Sequence, residues 1–490
     1  MNLLLDRDFL AEYPEALCAA LRRLAQKTPG KQLYVAGGPV RDWLLGRMPR
    51  DLDFTVATGA VAFARELAEG LGGTFVLLDS DEDVARVVWQ GHCLDFSSFR
   101  NRCGSIEEDL AQRDFTINAL AVPIATKRPG LASLAVIDPT GGGADLAARL
   151  LRTPSEACLL ADPLRLLRAY RFAASLDFAI DPQTMAAIVR HRQLILRPAG
   201  ERVAYELGLI MASPRAAAVV GEMARAGLLW QLFPELAVGE GVEQPASHHL
   251  DVFGHNLETL RRMEGLLAAP AGHFPGHAPL LVAYLNRPGI GVLLKWAALF
   301  HDVGKPAAHG IVEGRVTFYN HDQAGVALFD AISERLRWPR EARSRVGRLI
   351  ALHMWPFHLS NARLRTGISR KACLRLVKAA AEDLVGLFLL AMADSLAGQG
   401  PGKPPRMEEH LAALFTEVHA VYEEHIRPVL TQPPLVNGHD LIRLFSLPPG
   451  PLFREIFAGL EQAQVEGEVA DRNQALSWIE DFLAEARPAK

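Results

Sequence analysis

The chain has 490 residues, with 52 Lys and Arg against 56 Asp and Glu, and a net charge of −4. That length exceeds what one hydrophobic core fills, so three or more domains are expected, and 49% apolar with 22% charged residues excludes a disordered or fibrous chain. The slight acidity also excludes a bulk basic footprint for nucleic acid, so any such binding has to rest on local patches such as Arg190-His191-Arg192 with Arg197, or Arg340 to Arg348. Asp6, Asp8 and Glu12 interrupt the first apolar run, which argues against a signal peptide. No stretch approaches ~20 uninterrupted apolar residues, so no membrane span is expected. The five cysteines are scattered without a Cys-x-x-Cys pair, which fits a reducing cytoplasm.

The first element, Gln32 to Ala36, reads as a buried strand, and Gly37-Gly38 after it lets the backbone approach a phosphate closely. Val40 to Leu45 reads as the start of a helix, with free N–H groups and Arg41 beside it. After a turn at Met48-Pro49-Arg50, Asp51-Leu52-Asp53-Phe54-Thr55-Val56 alternates like a strand, with both carboxylates on one face. An Asp-x-Asp pair on a rigid strand can hold two Mg²⁺ ions, so these residues together point to nucleotidyl transfer. Alone, the pair would read as solvated surface aspartates; the glycine turn before it decides the matter. Asp95, ending the alternating run Val84 to Phe96, is a candidate third carboxylate.

Residues up to about Val136 alternate strand and helix signals, and from Ala144 onward nearly everything has helical period, punctuated by Pro and Gly. Pro270 to Gly291 reads as a long loop and Gly398 to Pro405 as a linker. The fold class is therefore α+β: a small α/β head followed by an elongated all-α body. Histidines cluster in that body. His255 opens a helix, His301-Asp302 ends the apolar helix Trp296 to Phe300, and His321-Asp322, His353 and Asp394 follow on further helices. Imidazoles and carboxylates from facing helices can converge on a divalent metal and activate water against a phosphoester. His248, His249, His273, His277 and His309 lack such a context and read as surface residues.

The head resembles the class II tRNA nucleotidyltransferase and bacterial poly(A) polymerase family. The resemblance rests on Gly37-Gly38-Pro39-Val40-Arg41-Asp42, Asp51-Leu52-Asp53, Arg113-Asp114-Phe115-Thr116-Ile117-Asn118, Asp138-Pro139-Thr140-Gly141-Gly142, Asp162-Pro163-Leu164-Arg165 to Phe172, and Glu201-Arg202 with Glu206-Leu207, in that order over roughly the first half of the chain. It implies that Asp51 and Asp53 bind Mg²⁺ and that Gly38, Arg41, Arg113 and Asn118 meet the triphosphate and sugar. Asp114 would accept from the ribose 2′-OH. Asp162 and Arg165, at i and i+3 on one helix face, would read the base, with Arg168 and Arg171 continuing toward phosphates. The His, His-Asp, Asp order resembles the HD phosphohydrolase superfamily, which implies Ni, Mn, Co or Fe at that cluster; His321 and His353 could complete a second metal position.

Three departures matter. Ala161 stands where the family has a glutamate expected to brace the selecting arginine, Gln112 stands for an arginine, and the segment from Phe99 to Asp109 is short. Loss of a flexible loop there goes, in this family, with enzymes that add only the two C residues. The expected organisation is a head at 1–140, a base-selecting and neck region at 141–244, an HD domain at 245–396 and a C-terminal RNA-binding tail at 397–490. The expected activity is addition of C, with ATP as a second candidate substrate, to the tRNA 3′ end. A poly(A) polymerase of the same family is the nearest alternative. From other classes, a phosphohydrolase with an RNA-binding head and a non-catalytic RNA-binding protein are disfavoured by the intact carboxylates. Oligomeric state is left open.

Overall fold

The computed structural model describes residues 3–5, 12–27, 32–49, 51–124 and 134–486; Asp6, Asp8 and Arg50 lie outside them. The chain forms two compact units, one from residues up to Ser213 with Glu222–Leu232, the other from Pro214–Gly221 with residues from Phe233 onward. Sheet and helices segregate as the α+β expectation requires.

In the first unit, six strands stand in the order β3-β4-β5-β2-β1-β6, where β1 is Tyr34–Ala36, β2 Leu52–Val56, β3 Thr74–Asp79, β4 Val84–Trp89, β5 His92–Ser98 and β6 Ala121–Pro123. Within this sheet, among the described residues, β2 and β5 alone pair in parallel. Their two-residue period sends Leu52, Phe54, Val56, Leu94 and Phe96 into a core shared with helices α1 (Glu15–Lys27) and α3 (Ala60–Leu71), and the rings of Phe54 and Phe96 stack 4.7 Å apart. Burying each such side chain stabilises by roughly 1.5–3 kcal/mol. Asp53 and Asp95, directly opposite in the β2–β5 register, are left on the other face. Helix α2 (Gly38–Leu44) follows β1 at once, through Gly37 at φ 85°. Further along lie α4 (Ile106–Ala111), α5 (Arg165–Leu176) and α6 (Gly200–Ala212).

Two local expectations are corrected. Strand β2 begins at Leu52, so Asp51 sits exposed in the preceding bend instead of sharing a strand face with Asp53. Asp162 is extended (φ −136°, ψ 97°) and α5 begins only at Arg165, because Pro163 disfavours helical geometry at the residue before it. The two residues nevertheless face one cavity.

The second unit is helical. Helices α7 (Val252–Ala268), α8 (Ile290–Phe300), α9 (His321–Arg335), α10 (Arg340–Leu352) and α11 (Leu384–Ala397) form a bundle in which α8 and α11 are apolar on nearly every side and buried almost throughout. The expected loop 270–291 contains the helix Ala278–Leu285, since Pro279 falls in its first turn, where proline starts a helix as readily as it breaks one elsewhere. The expected linker 398–405 is pinned: the Gly400 and Gly402 N–H groups donate to the carbonyls of Ser247 and Ala246 at 2.9 and 2.8 Å. The last helices, Gly438–Phe445, Pro451–Glu466 and Arg472–Ala486, pack around Leu441, Ile456, Leu460 and Ile479. Among the described residues no helix is long and apolar enough to cross a membrane.

Candidate active sites

On the open face of the head sheet lies a cavity of about 520 Å³. Six arginines (Arg41, Arg100, Arg113, Arg165, Arg168, Arg171) and three aspartates (Asp53, Asp114, Asp162) line it with Gly37, Gly38, Asn118 and Phe172. An acidic chain has thus concentrated positive charge in one place, which suits a polyanion. Gly37 suits this place: its φ of 85° strains any side chain, and a Cβ would lie 2.6 Å from Arg113 Nη1 and push that guanidinium aside. Arg113 is buried, its Nε has no hydrogen-bond partner, and burial together with the neighbouring Arg100 pushes its pKa down to about 10. A buried guanidinium with an unmet donor is a site for an anion.

The remaining charges are tied to one another. Asn118 accepts from Arg41 Nη1 at 2.7 Å and donates from Nδ2 to Asp114 Oδ1 at 3.0 Å. Asp114 Oδ2 accepts from Arg168 Nη2 and Nε at 2.5 and 3.0 Å. Burial would raise the Asp114 pKa, but the Arg168 charge and the Asn118 donor outweigh it and hold the carboxyl well below its usual range. Arg168 and Arg171 both reach Glu206, at 3.3 and 2.6 Å, and with Arg41 surround the Phe172 ring. Asp53 behaves differently. Burial pushes it up to about 6, against Arg113 and with help from Asp95 and Asp51. Asp95 is gripped by Arg86 at 2.6 and 2.7 Å, and Asp51 is not among the residues lining the cavity.

Arg165, expected to read the base, is held by the main chain. Arg165 Nη1 donates to the carbonyls of Gln112 and Cys158 at 2.9 and 3.0 Å, so this arginine is braced although Ala161 offers no carboxylate. Asp162 Oδ1 accepts from the Leu164 N–H, and its Oδ2 lies 3.1 Å from Arg202 Nη2.

Asp109 escaped the sequence reading as a functional residue. It is fully buried and accepts from the Arg100 N–H and from Arg100 Nη1, at 2.9 and 3.0 Å, with Arg113 Nη2 at 3.4 Å, so it aims two cavity arginines. The available signal was an aspartate on the buried face of α4 between Ile106 and Leu110. Arg100 and Phe172 were missed as site residues for want of any pattern beyond their type.

In the bundle, His255 of α7, His301-Asp302 after α8, His321 opening α9, His353 closing α10 and Asp394 of α11 converge, so all six predicted ligands meet. Gly304 permits it: a Cβ there would stand 2.1 Å from the His321 carbonyl. Asp302 Oδ2 lies 3.1 Å from His301 Nε2 and 3.6 Å from His255 Nε2, while Asp302 Oδ1 lies 3.3 and 3.5 Å from the Nε2 atoms of His321 and His353. Asp394 Oδ1 lies 3.0 Å from His255 Nε2. His301 Nε2 and Asp302 Oδ1 are buried without hydrogen-bond partners, so the donor set fits a divalent cation. Burial holds His255 and His353 below the usual imidazole range, in the neutral form a cation needs. Burial also acts on His301, but the Asp302 and Asp394 charges outweigh it and raise that ring, so a proton competes with a cation there. His248, read from sequence as a surface residue, belongs here too: its ring meets that of His255 edge-on at 4.6 Å and it groups with His255 and Asp394. A cavity of about 640 Å³ adjoins the cluster, with Lys305, Lys403 and Asn320 among polar walls and Phe318, Tyr319 and Phe357 among apolar ones.

A mixed sheet presenting a carboxylate beside an arginine-walled cavity, with a separate buried His/Asp bundle, is the architecture of a nucleotidyltransferase carrying an HD domain. Comparison with known proteins agrees segment by segment. The poly A polymerase head domain matches residues 33–152, the "Probable RNA and SrmB-binding site of polymerase A" 177–239, the HD domain 277–398 and tRNA nucleotidyltransferase domain 2 416–479. The chain is 34% identical to the A-adding tRNA nucleotidyltransferase of Deinococcus radiodurans, over 93% of this chain and 96% of that one. It is 34% identical to the CC-adding enzyme of Thermus thermophilus (92% and 93%) and 39% identical to the CC-adding enzyme of Synechocystis (92% and 94%). The fold is that of a CCA-adding enzyme solved with CTP (TM-score 0.66, 20% identity, 100% of both chains) and of the Thermotoga maritima enzyme (0.63, 21%, 99% and 100%). The chain therefore belongs to the class II CCA-adding tRNA nucleotidyltransferase family, in its HD-bearing form, and it is a nucleotidyltransferase.

Proposed function

We propose that the head adds cytidylate, and only cytidylate, to the 3′ end of tRNA. The RNA 3′-OH attacks the α-phosphorus of CTP and pyrophosphate leaves. Asp51 and Asp53 would hold Mg²⁺, which when bound neutralises charge building on the attacking and leaving oxygens. Arg113, Arg100 and Arg41 receive the triphosphate, Arg113 through a donor that has no partner among the described residues. Asn118 and Asp114 face the sugar.

The observation that carries the choice of C is the pinned connector between β5 and α4. Arg100 is fastened to Asp109, Asn101 Nδ2 donates to Gln112 Oε1 at 2.6 Å, and Gln112 Nε2 lies 2.7 Å from Cys103 Sγ. Gln112 thus clamps the short segment whose carbonyl partner, its own main chain, also holds Arg165. A cavity that reads C and then A has to re-aim its base-reading arginine, and a connector tied at both ends opposes that. Cytosine also offers a guanidinium two adjacent acceptors, adenine one. Three of four near-full-length relatives are named CC-adding, which supports the same reading. The test is a tRNA lacking its 3′ end, incubated with CTP, ATP or both, beside a tRNA already ending in CC. Two added residues with CTP and none with ATP support the proposal. One A added to the CC-ending tRNA would assign A addition, as in the Deinococcus relative, and a long A tail would assign poly(A) synthesis.

The bundle is proposed as a metal-dependent phosphohydrolase, with His255, His301, Asp302 and Asp394 holding Ni, Mn, Co or Fe. The neighbouring cavity, with lysines for a phosphate and aromatic rings for an organic group, supports a phosphoester such as a 2′,3′-cyclic phosphate end. All five cysteines are free, which supports a cytoplasmic setting.

A further inference from the structure

Arg168, in the first turn of α5, lies between two buried carboxylates. On one edge its Nη2 and Nε donate to Asp114 Oδ2 at 2.5 and 3.0 Å, and on the other its Nη1 donates to Glu206 Oε1 at 3.3 Å. The guanidinium carbon also stands 5.4 Å from the centre of the Phe172 ring. Three segments far apart in the chain meet there: the turn before the 3₁₀ helix Thr116–Asn118, α5 and α6. The sequence sends Arg168 toward phosphates; in the structure three of its five N–H groups go to carboxylates.

Asp114 already meets four donors. Oδ1 accepts from the Phe115 N–H at 2.8 Å and from Asn118 Nδ2 at 3.0 Å, and Oδ2 takes the two from Arg168. A carboxylate offers about four lone-pair sites, so a ribose 2′-OH enters only by replacing one of these donors. The Phe115 N–H is fixed main chain, and Asn118 is itself held by Arg41 Nη1 at 2.7 Å. Among these donors Arg168 alone gives two hydrogens to one oxygen, so it can yield the longer bond, from Nε, and keep its charge against the carboxylate through Nη2. A 2′-OH both donates and accepts, so it can bridge the opened contact, its proton to Oδ2 and a lone pair to the freed Nε–H.

We propose that Arg168 is a positioning residue for sugar selection: it orients Asp114, cedes one hydrogen bond to the ribose 2′-OH, and so favours ribonucleotides over 2′-deoxynucleotides. This rests on reading Asp114 as the residue that faces the sugar. A deoxynucleotide brings no hydroxyl, so the Arg168–Asp114 contact stays closed on itself and the bridge is not gained. Without Arg168, burial would favour the protonated Asp114 carboxyl, which turns a donor where the 2′-OH needs an acceptor.

The test is kcat/KM for CTP and for dCTP on a tRNA lacking its 3′ end, in the full chain and in Arg168→Ala, Arg168→Lys, Asp114→Ala and the double variant Arg168→Ala with Asp114→Ala. Far-UV circular dichroism reports whether each is folded. The CTP-to-dCTP ratio should fall at least ~10-fold in Arg168→Ala, toward that of Asp114→Ala. The double variant should fall no further than Asp114→Ala, because the two residues act on one hydroxyl. Arg168→Lys keeps the charge but not the fork of two N–H groups, and should give an intermediate ratio. An arginine that serves phosphates or folding alone would lower both rates together. A ratio that falls in Asp114→Ala but is unchanged in folded Arg168→Ala and Arg168→Lys therefore overturns the proposal. A ratio unchanged in Asp114→Ala overturns it too, by removing Asp114 from the sugar. A parent that adds A in place of C contradicts the base assigned above, and the same ratios taken with ATP and dATP then decide the role of Arg168.

Discussion

In the head cavity most charged groups already have a partner of opposite sign, Arg168 on Asp114, Arg171 on Glu206, Arg100 on Asp109 and Arg41 on Asp42, whereas in the bundle two imidazole Nε2 atoms stand 3.1 Å apart and a buried carboxylate oxygen has no hydrogen-bond donor among the described residues. The first arrangement is a preset frame into which a large, charged, exchangeable substrate slides, meeting only a few open groups such as Arg113 Nε and Asp53. In the second, Lys305 Nζ reaches Asp302 Oδ2 at 2.5 Å, but Asp302 Oδ1 and His301 Nε2 stay without a hydrogen-bond partner among the described residues. A site that must release its ligand every turnover can store its charges in ion pairs; a site that keeps a metal is left with orphaned donors.

The comparison breaks first at Asp53. Asp53→Ala should lower C addition by at least ~10³-fold, about 4 kcal/mol of transition-state stabilisation, with tRNA binding nearly unchanged in a filter assay. Asp51 is exposed and off the cavity wall, so Asp51→Ala should lose much less than Asp53→Ala, and an equal loss would place the two carboxylates on one footing.

Asp109→Ala removes the buried partner of two arginines and should destabilise the head by ~3–5 kcal/mol, seen as a lowered midpoint in urea. Its tailing activity should fall mainly through a raised KM for CTP, and Asp109→Asn should recover shape and part of the KM. A raised KM in neither variant would remove Asp109 from the binding frame.

Arg165→Ala should blunt the choice among the four nucleoside triphosphates before abolishing addition, measured as kcat/KM for each. Unchanged preference would mean that the main-chain brace on Arg165 serves folding alone. The smallest effect is on pH. Because the Asp53 pKa is raised to about 6, its charge is present above that value and lost below it, so the Mg²⁺ concentration needed for half-maximal C addition should rise on the acid side, by up to ~10-fold per pH unit below about 6. A Mg²⁺ requirement flat from pH 7 to 5 would contradict the assignment.

Much of this was legible in residue order. Gly37-Gly38, Asp53 and His301-Asp302 are local chemistry, and a strand period of two or an apolar helix end places them. What was not legible depended on three-dimensional partners. Asp162 leaves the helix because Pro163 follows it, and a proline disfavours helical geometry in the residue before it. His248 stands beside His255 and Asp394, and residues 246 and 247 next to it are hydrogen-bonded to the loop at 400–402, a contact between segments about 150 residues apart. Arg165 is braced by carbonyls of Gln112 and Cys158, and no side-chain pattern announces a carbonyl.

The two sites, built on opposite principles, should work independently. The direct measurement crosses the variants: Asp53→Ala and the double variant His301→Ala with Asp302→Ala, each assayed on one preparation for C addition to tRNA and for Mn²⁺- or Ni²⁺-dependent hydrolysis of a 2′,3′-cyclic nucleotide. The account predicts that each variant loses its own activity and keeps the other within a few fold. Loss of C addition in a folded double variant, or hydrolysis persisting in it undiminished, would contradict the account.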